Sequence, residues 1–232
     1  MTGPAQRDLQ GWHVSATGVR YPPEPWYLGG SLVVSTFRVP MDELPNEVHG
    51  FVPRGHKLLS LGGHAIVGAA FAHYVAGGVL RYDELLIACA VVSRGRVRFT
   101  IPHIRVSSES SMNGGRELWG IPKGMAHFDR QQLGVRTDTT MVQDGRQVAS
   151  LSARLGRRLL PGTHKVPLPT AQRLNGRTAI SKNLILGTVR SVRTTWEFTT
   201  AGTLKYLAGR KPVMSIALTD SAILFGTKVD RS

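Results

Sequence analysis

The chain has 232 residues, 41% hydrophobic and 19% charged, with a formal net charge of +14, and it is long enough to bury a sizeable core. Its apolar runs, such as residues 85–92 (LLIACAVV), fall far short of the roughly 20 residues a membrane-spanning helix needs. The basic excess comes from 22 arginines and 7 lysines scattered along the chain, densest at residues 93–99, 153–160 and 208–212, without the aromatic interleaving of a stacking platform. Zinc-finger and helix-turn-helix spacings are missing too, so no specific nucleic-acid partner is expected.

From the N-terminus, MTGPAQRDLQGW lacks an apolar segment of signal-peptide length, so a cytoplasmic location is expected. Residues 31–39 (SLVVSTFRV) are rich in β-branched side chains and read as a strand that stops at Pro40. Residues 41–48 read as a short helix interrupted by Pro45. Residues 64–78 suit a strand or a buried helix, and their small residues favour a strand with close neighbours. Residues 84–104 read as a hairpin around the SRGR turn, with Cys89 as a buried, inert thiol in its first arm.

Residues 107–120 form the best helix candidate. A second hairpin, residues 135–155, has Asp144-Gly145 at its tip, a pair that tolerates the positive φ of a tight turn. Residues 156–169 carry Gly, Pro, Arg and His without periodicity and read as a loop. Residues 183–198 and 212–226 are strand-like, with a short helix between them in TAGTLKYLAG. Many antiparallel strands with few helices predict a mainly antiparallel α+β fold. A curved, partly closed barrel would protect its strand edges, and one domain is expected over 1–232.

One lysine stands apart. In GGRELWGIPKGMA, Lys123 lies between Pro122 and Gly124, with Trp119, Ile121 and Met125 nearby. On its own this residue is most simply a solvated surface lysine. The sharper reading is an amine kept neutral, able to condense with a ketone and draw electrons from the adjacent carbon. A free lysine titrates near 10.4, so neutrality at pH 7 requires about three units, roughly 4 kcal/mol, from desolvation or a neighbouring positive charge.

The stretch resembles the lysine motif of the acetoacetate decarboxylase family. Gly115, Arg116, Glu117, Leu118, Gly120, Pro122, Lys123 and Ala126 match its pattern. Residues 37–48 are similar to an early segment of the family, LRYDEL (residues 80–85) resembles its Gly-x-Tyr-x-Glu segment, and Glu109 falls where the family often has Asn-Glu. The resemblance implies a cone-like antiparallel β-barrel with flanking helices, assembled as a homo-oligomer, without a cofactor. It places Lys123 at the Schiff-base position and Glu84 at the active-site glutamate. Tyr82, Arg116, Glu117, Trp119 and Met125 are then candidate pocket residues, with Trp119 and Met125 keeping the site dry.

The departures from the family are specific. Its second lysine is Gly124 here, an expected arginine aligns with Gly29-Gly30, and a second pocket glutamate aligns near Ala69. Losing that charge implies a larger or less polar pocket, poorly suited to acetoacetate. The leading expectation is a Schiff-base lyase for a larger keto compound, with aldol, dehydration or cyclisation chemistry preferred to decarboxylation. A non-covalent cyclase or isomerase on a hydrophobic, polyketide-like substrate is the second reading, and a non-catalytic small-molecule-binding protein the third. No metal is expected, since the eight histidines lack ligand spacing and cysteine partners are missing. The glycine pairs make no dinucleotide fingerprint, and no Gly-x-Ser-x-Gly elbow occurs.

Overall fold

The computed structural model describes residues 6–231, so the first five residues of the stretch read for a signal peptide lie outside the described residues. Three two-residue strands, β1 (Gln6–Arg7), β2 (His13–Val14) and β3 (Arg20–Tyr21), make a small antiparallel sheet. The main sheet begins with β4 (Trp26–Pro40), which ends at its proline as its sequence predicts. A 3-10 turn (Met41–Glu43) and helix α1 (Asn46–Phe51) flank Pro45, and short strands β5 (Lys57–Leu58) and β6 (Ser60–Leu61) follow. Then come β7 (His64–Val75), β8 (Tyr82–Ser93) and β9 (Arg96–Val106), of which β8 and β9 form the hairpin expected around Arg94-Gly95.

Helix α2 (Glu109–Trp119) leads into the three-residue strand β10 (Lys123–Met125). The strands β11 (His127–Leu133), β12 (Arg136–Gln143) and β13 (Arg146–Arg158) form a meander with Asp144-Gly145 at the second turn. The rest is β14 (His164–Pro167), β15 (Thr170–Leu174), the 22-residue β16 (Arg177–Phe198), a 3-10 turn (Lys205–Leu207) and β17 (Met214–Arg231). Residues 156–169 are not wholly a loop. β13 extends to Arg158, and β14 pairs with Leu184–Gly187, because the long edge of β16 offers hydrogen-bond partners that composition does not reveal.

The order β9-β8-β7-β4-β17-β16 is antiparallel throughout, and β15 joins β16 back to β9 at Thr170 and Phe99, so the sheet is ring-like. Beyond β16 it continues through β13, β12 and β11, which fold over the outside of the ring. Alternation along each strand sends successive side chains to opposite faces. In β8, Tyr82, Glu84 and Ala88 face the ring interior, while Leu85, Ile87 and Cys89 enter a second core with Phe37, Phe71, Met141, Leu151, Trp196 and Phe198. That is why the run at 85–92 is apolar throughout: its strand is buried on both faces. The Cys89 thiol, pushed up to about 12 by burial, is inert.

His103 on β9 faces the second core, where its Nδ1 lies 3.3 Å from the Thr203 hydroxyl and its Nε2 has no hydrogen-bond partner among the described residues. Burial, reinforced by the nearby Arg105 charge, lowers its pKa from 6.5 to about 3. The unfolded chain therefore binds a proton that the folded chain refuses, and stability present above pH 6.5 is lost as pH falls toward 3. Urea denaturation between pH 7 and 4 should show this loss, and His103→Asn should flatten it.

Candidate active site

The site is built by α2, β10 and the interior face of β8. Ser108 caps α2 by accepting from the Ser111 backbone N–H at 3.2 Å. Its buried residues, Ser111, Gly114, Gly115, Leu118 and Trp119, recur at helical spacing on one face. At the other end Gly120 adopts a left-handed φ of 68°, and a Cβ there would lie 2.2 Å from the Arg173 carbonyl oxygen. Its N–H donates to the Arg116 carbonyl at 3.1 Å and the Ile121 N–H to the Gly115 carbonyl at 3.0 Å, so the chain reverses tightly into β10. β10 then runs parallel to the end of β9, with Lys123 beside Ile104.

Lys123 is only 4% exposed. Its Nζ donates to Glu84 Oε2 at 2.8 Å and to Ser111 Oγ at 2.9 Å, with the Tyr82 hydroxyl at 3.4 Å. The amine also lies 5.1 Å from the Tyr82 ring centroid and 5.8 Å from that of Trp26. Tyr74 donates to the other Glu84 oxygen, Oε1, at 3.3 Å. Burial first, and then the Glu84 carboxylate, hold the Tyr74 and Tyr82 phenols well above their ordinary range, so both stay protonated donors. Purely apolar company for the lysine is thus corrected: it has a carboxylate, a serine and a tyrosine within reach.

The amine opens on a cavity of about 50 Å³, whose remaining lining is apolar, including Trp26, Ile104, Trp119, Ile121 and Phe225. Among the described residues, Lys123 and Glu84 are the only charged groups on its wall. The cavity is poor in polar groups, as the lost family charges imply, but it is not large.

Of the residues singled out in the sequence, Lys123, Glu84, Tyr82 and Trp119 line this cavity, and Arg116, Glu117 and Met125 do not. Arg116 Nε donates to the Lys123 carbonyl at 2.6 Å and so holds β10 from behind. Glu117 accepts from the Tyr21 hydroxyl at 2.6 Å, on the helix side facing β3. Met125 is 38% exposed and cannot keep the site dry. Ala69 belongs to the second core, on the opposite face of β7 from Tyr74. Ser111, Tyr74 and Trp26 complete the site. Ser111 was legible only as a small residue one helical turn before Gly115, and the other two carried no local signal.

Gly124 points the other way. Neighbours on a strand face opposite sides, and a Cβ at 124 would lie 3.1 Å from the Arg105 guanidinium. A lysine there would project away from the cavity, so its absence does not remove a cation from beside Lys123. Gly115 has the opposite importance: a Cβ on it would lie 2.6 Å from Lys123 Cδ and 2.8 Å from Cε. Among the described residues no three His, Cys, Asp or Glu side chains gather closely enough to hold a metal ion.

A buried lysine paired with a glutamate thus faces a small, mostly apolar cavity inside a ring of antiparallel strands. The acetoacetate decarboxylase (ADC) family model matches residues 13–205, and the chain belongs to that family. The acetoacetate decarboxylase of Legionella pneumophila superposes with a TM-score of 0.69 at 14% identity, covering 91% of this chain and 88% of its own. The enduracididine biosynthesis enzyme MppR complexed with pyruvate gives 0.64 at 20% identity, covering 99% and 98%. An acetoacetate decarboxylase-like enzyme from Sphingomonas wittichii RW1 gives 0.65 at 12% identity, covering 99% and 100%. No curated protein sequence matches the chain. No helix among the described residues is long and apolar enough to cross a membrane.

Breaking a buried ion pair costs about 3–5 kcal/mol because one charge is stranded, whereas replacing both partners is often close to neutral. Glu84→Gln should therefore lower unfolding stability by an amount in this range, and Lys123→Met/Glu84→Gln should recover more than half of it in urea titrations. Gly115→Ala, which pushes the lysine stem aside, should cut any Lys123-dependent turnover at least tenfold while leaving the far-ultraviolet circular dichroism unchanged.

Proposed function

We propose that this protein is a lysine-dependent enzyme that forms a Schiff base with a small neutral carbonyl compound, and catalyses aldol, retro-aldol or dehydration chemistry on it. The observation that carries the reading is the 2.8 Å contact between Lys123 Nζ and Glu84 Oε2 at the wall of an otherwise apolar cavity. Passing one proton along that bond gives a neutral amine and a neutral acid without changing the net charge of the pocket. The amine lone pair then adds to the substrate carbonyl carbon, and the carbonyl oxygen, taking one proton from the attacking nitrogen and one from Glu84, leaves as water. The product is an iminium cation beside a carboxylate, the same charge pair that the resting site holds.

Charge balance is the advantage of this arrangement. In a water-poor cavity a change of net charge is expensive, and here none occurs. The iminium draws electrons from the neighbouring carbon, and Glu84 is placed to take or return the proton there. The protonated Tyr74 hydroxyl holds the carboxylate in position, and the Tyr82 hydroxyl lies beside the amine. A substrate carboxylate would find no further cation on the cavity wall among the described residues, which supports a neutral substrate over a keto acid and carbon–carbon or carbon–oxygen cleavage over decarboxylation. At about 50 Å³ the cavity takes only a few heavy atoms, on a scale where one water needs about 10–15 Å³ of such space. Only the carbonyl end of a longer compound fits.

The clamped resting state also suits a second reading, in which the Lys123–Glu84 pair orients a substrate without covalent attachment. Borohydride reduction in the presence of acetone, propanal or acetoacetate, followed by intact-mass and peptide analysis, separates the two. The covalent reading expects an adduct on Lys123 with the neutral carbonyls, weaker labelling by acetoacetate, and none in Lys123→Ala. No adduct with any of the three compounds would sink it. Substantial turnover by Lys123→Ala would favour the non-covalent reading.

A further inference from the structure

A second cavity, much larger than the first, lies on the other side of the same sheet. It has a volume of about 710 Å³, within the roughly 300–1,000 Å³ of small-molecule sites, and occupies the wedge where β11–β13 fold over β4, β7 and β17. Its floor is apolar, formed by Val33, Phe71, Leu151 and Ala153, and its rim carries Arg130 and Arg190. We propose that this wedge is a second ligand site, which takes an amphipathic carboxylate with its hydrocarbon body on the floor and its head group at the two arginines. The assignment is independent of the imine chemistry proposed for Lys123.

The rim electrostatics carry the choice of ligand. Arg130 donates to the Gln132 side-chain oxygen at 2.6 Å, and Arg190 donates twice to the Gly156 carbonyl, at 3.1 and 2.7 Å. Among the described residues neither forms an ion pair with a carboxylate, so two cations border the opening with only neutral partners. Two carboxylates also line the cavity, Asp83, which His73 Nδ1 contacts at 2.7 Å, and Asp220, exposed at the irregular step in β17, and among the described residues neither forms an ion pair with Arg130 or Arg190. An anionic head group gains two charge-assisted contacts at such a rim, and an uncharged one gains neither.

The wedge is also a built feature of the backbone. The β4–β17 register shifts between Leu218 and Ser221, opposite Gly30. A Cβ on Gly30 would lie 2.1 Å from the His73 carbonyl oxygen, so β4 and β7 approach here only because residue 30 has no side chain. The two cavities are back to back. His73 and Asp83 face the wedge, while Tyr74, Tyr82 and Glu84 face the lysine.

Calorimetric titration of the full chain with octanoate and with 1-octanol tests the assignment. One saturable octanoate site is expected in the wild type and in Lys123→Ala, with 1-octanol at least tenfold weaker. Arg130→Gln/Arg190→Gln should weaken octanoate at least tenfold, and Thr137→Trp, which fills the wedge, should abolish its binding. The proposal is overturned by no saturable octanoate binding to wild type, by equal affinity for the alcohol, by full affinity in the double-arginine variant, or by loss of binding in Lys123→Ala. A drop in mass of Thr137→Trp by light scattering, with no octanoate heat in wild type, would instead identify the wedge as a subunit contact.

Discussion

The ion pair between Lys123 and Glu84 sets the conditions that the rest of the site must meet. Two charges removed from water carry a penalty of several kcal/mol each, and only close contact with added hydrogen bonds makes their burial tolerable. The architecture around them supplies both. Ser111 and Tyr82 take the remaining reach of the ammonium, and Tyr74 satisfies the far carboxylate oxygen. Packing serves the same contact: Gly115 clears a path for the lysine stem, and Trp26 and Trp119, 4.8 Å apart edge to face, roof the cavity.

The pleat of the sheet decides which neighbours matter. Residues adjacent in sequence are separated here by the thickness of a strand, as Lys123 and Gly124 are, and as Asp83 and Glu84 are. A motif read as a string treats such neighbours as partners. In three dimensions the partners of the lysine amine come from β8 and the first turn of α2, at positions 84, 82 and 111, while Tyr74 on β7 holds the far oxygen of Glu84.

Much of the framework was legible in the sequence because local chemistry determined it. β-Branched runs marked β4, Asp144-Gly145 marked the β12–β13 turn, and the helix ahead of the lysine lies within the expected residues 107–120. Lys123 and Glu84 were found through the family resemblance, since neither stands out by composition. The rest was hidden for identifiable reasons. Strand β14 exists through pairing with a distant edge, and Met125, apolar by type, ends a strand of only three residues and is exposed there. Asn175-Gly176, with positive φ at both residues, turns β15 into β16 and is a hairpin signal that sequence reading passed over.

Leu32 borders both cavities and is itself almost wholly buried. Its side chain packs on the lysine side, and its backbone, paired with Ala72 on β7 and Leu218 on β17, is part of the wall between the two chambers. Trimming it to alanine would enlarge the hollow in front of the amine while the paired strands kept the two chambers apart. The bulk of carbonyl compound that reaches the amine therefore rests on a residue that takes no part in the chemistry.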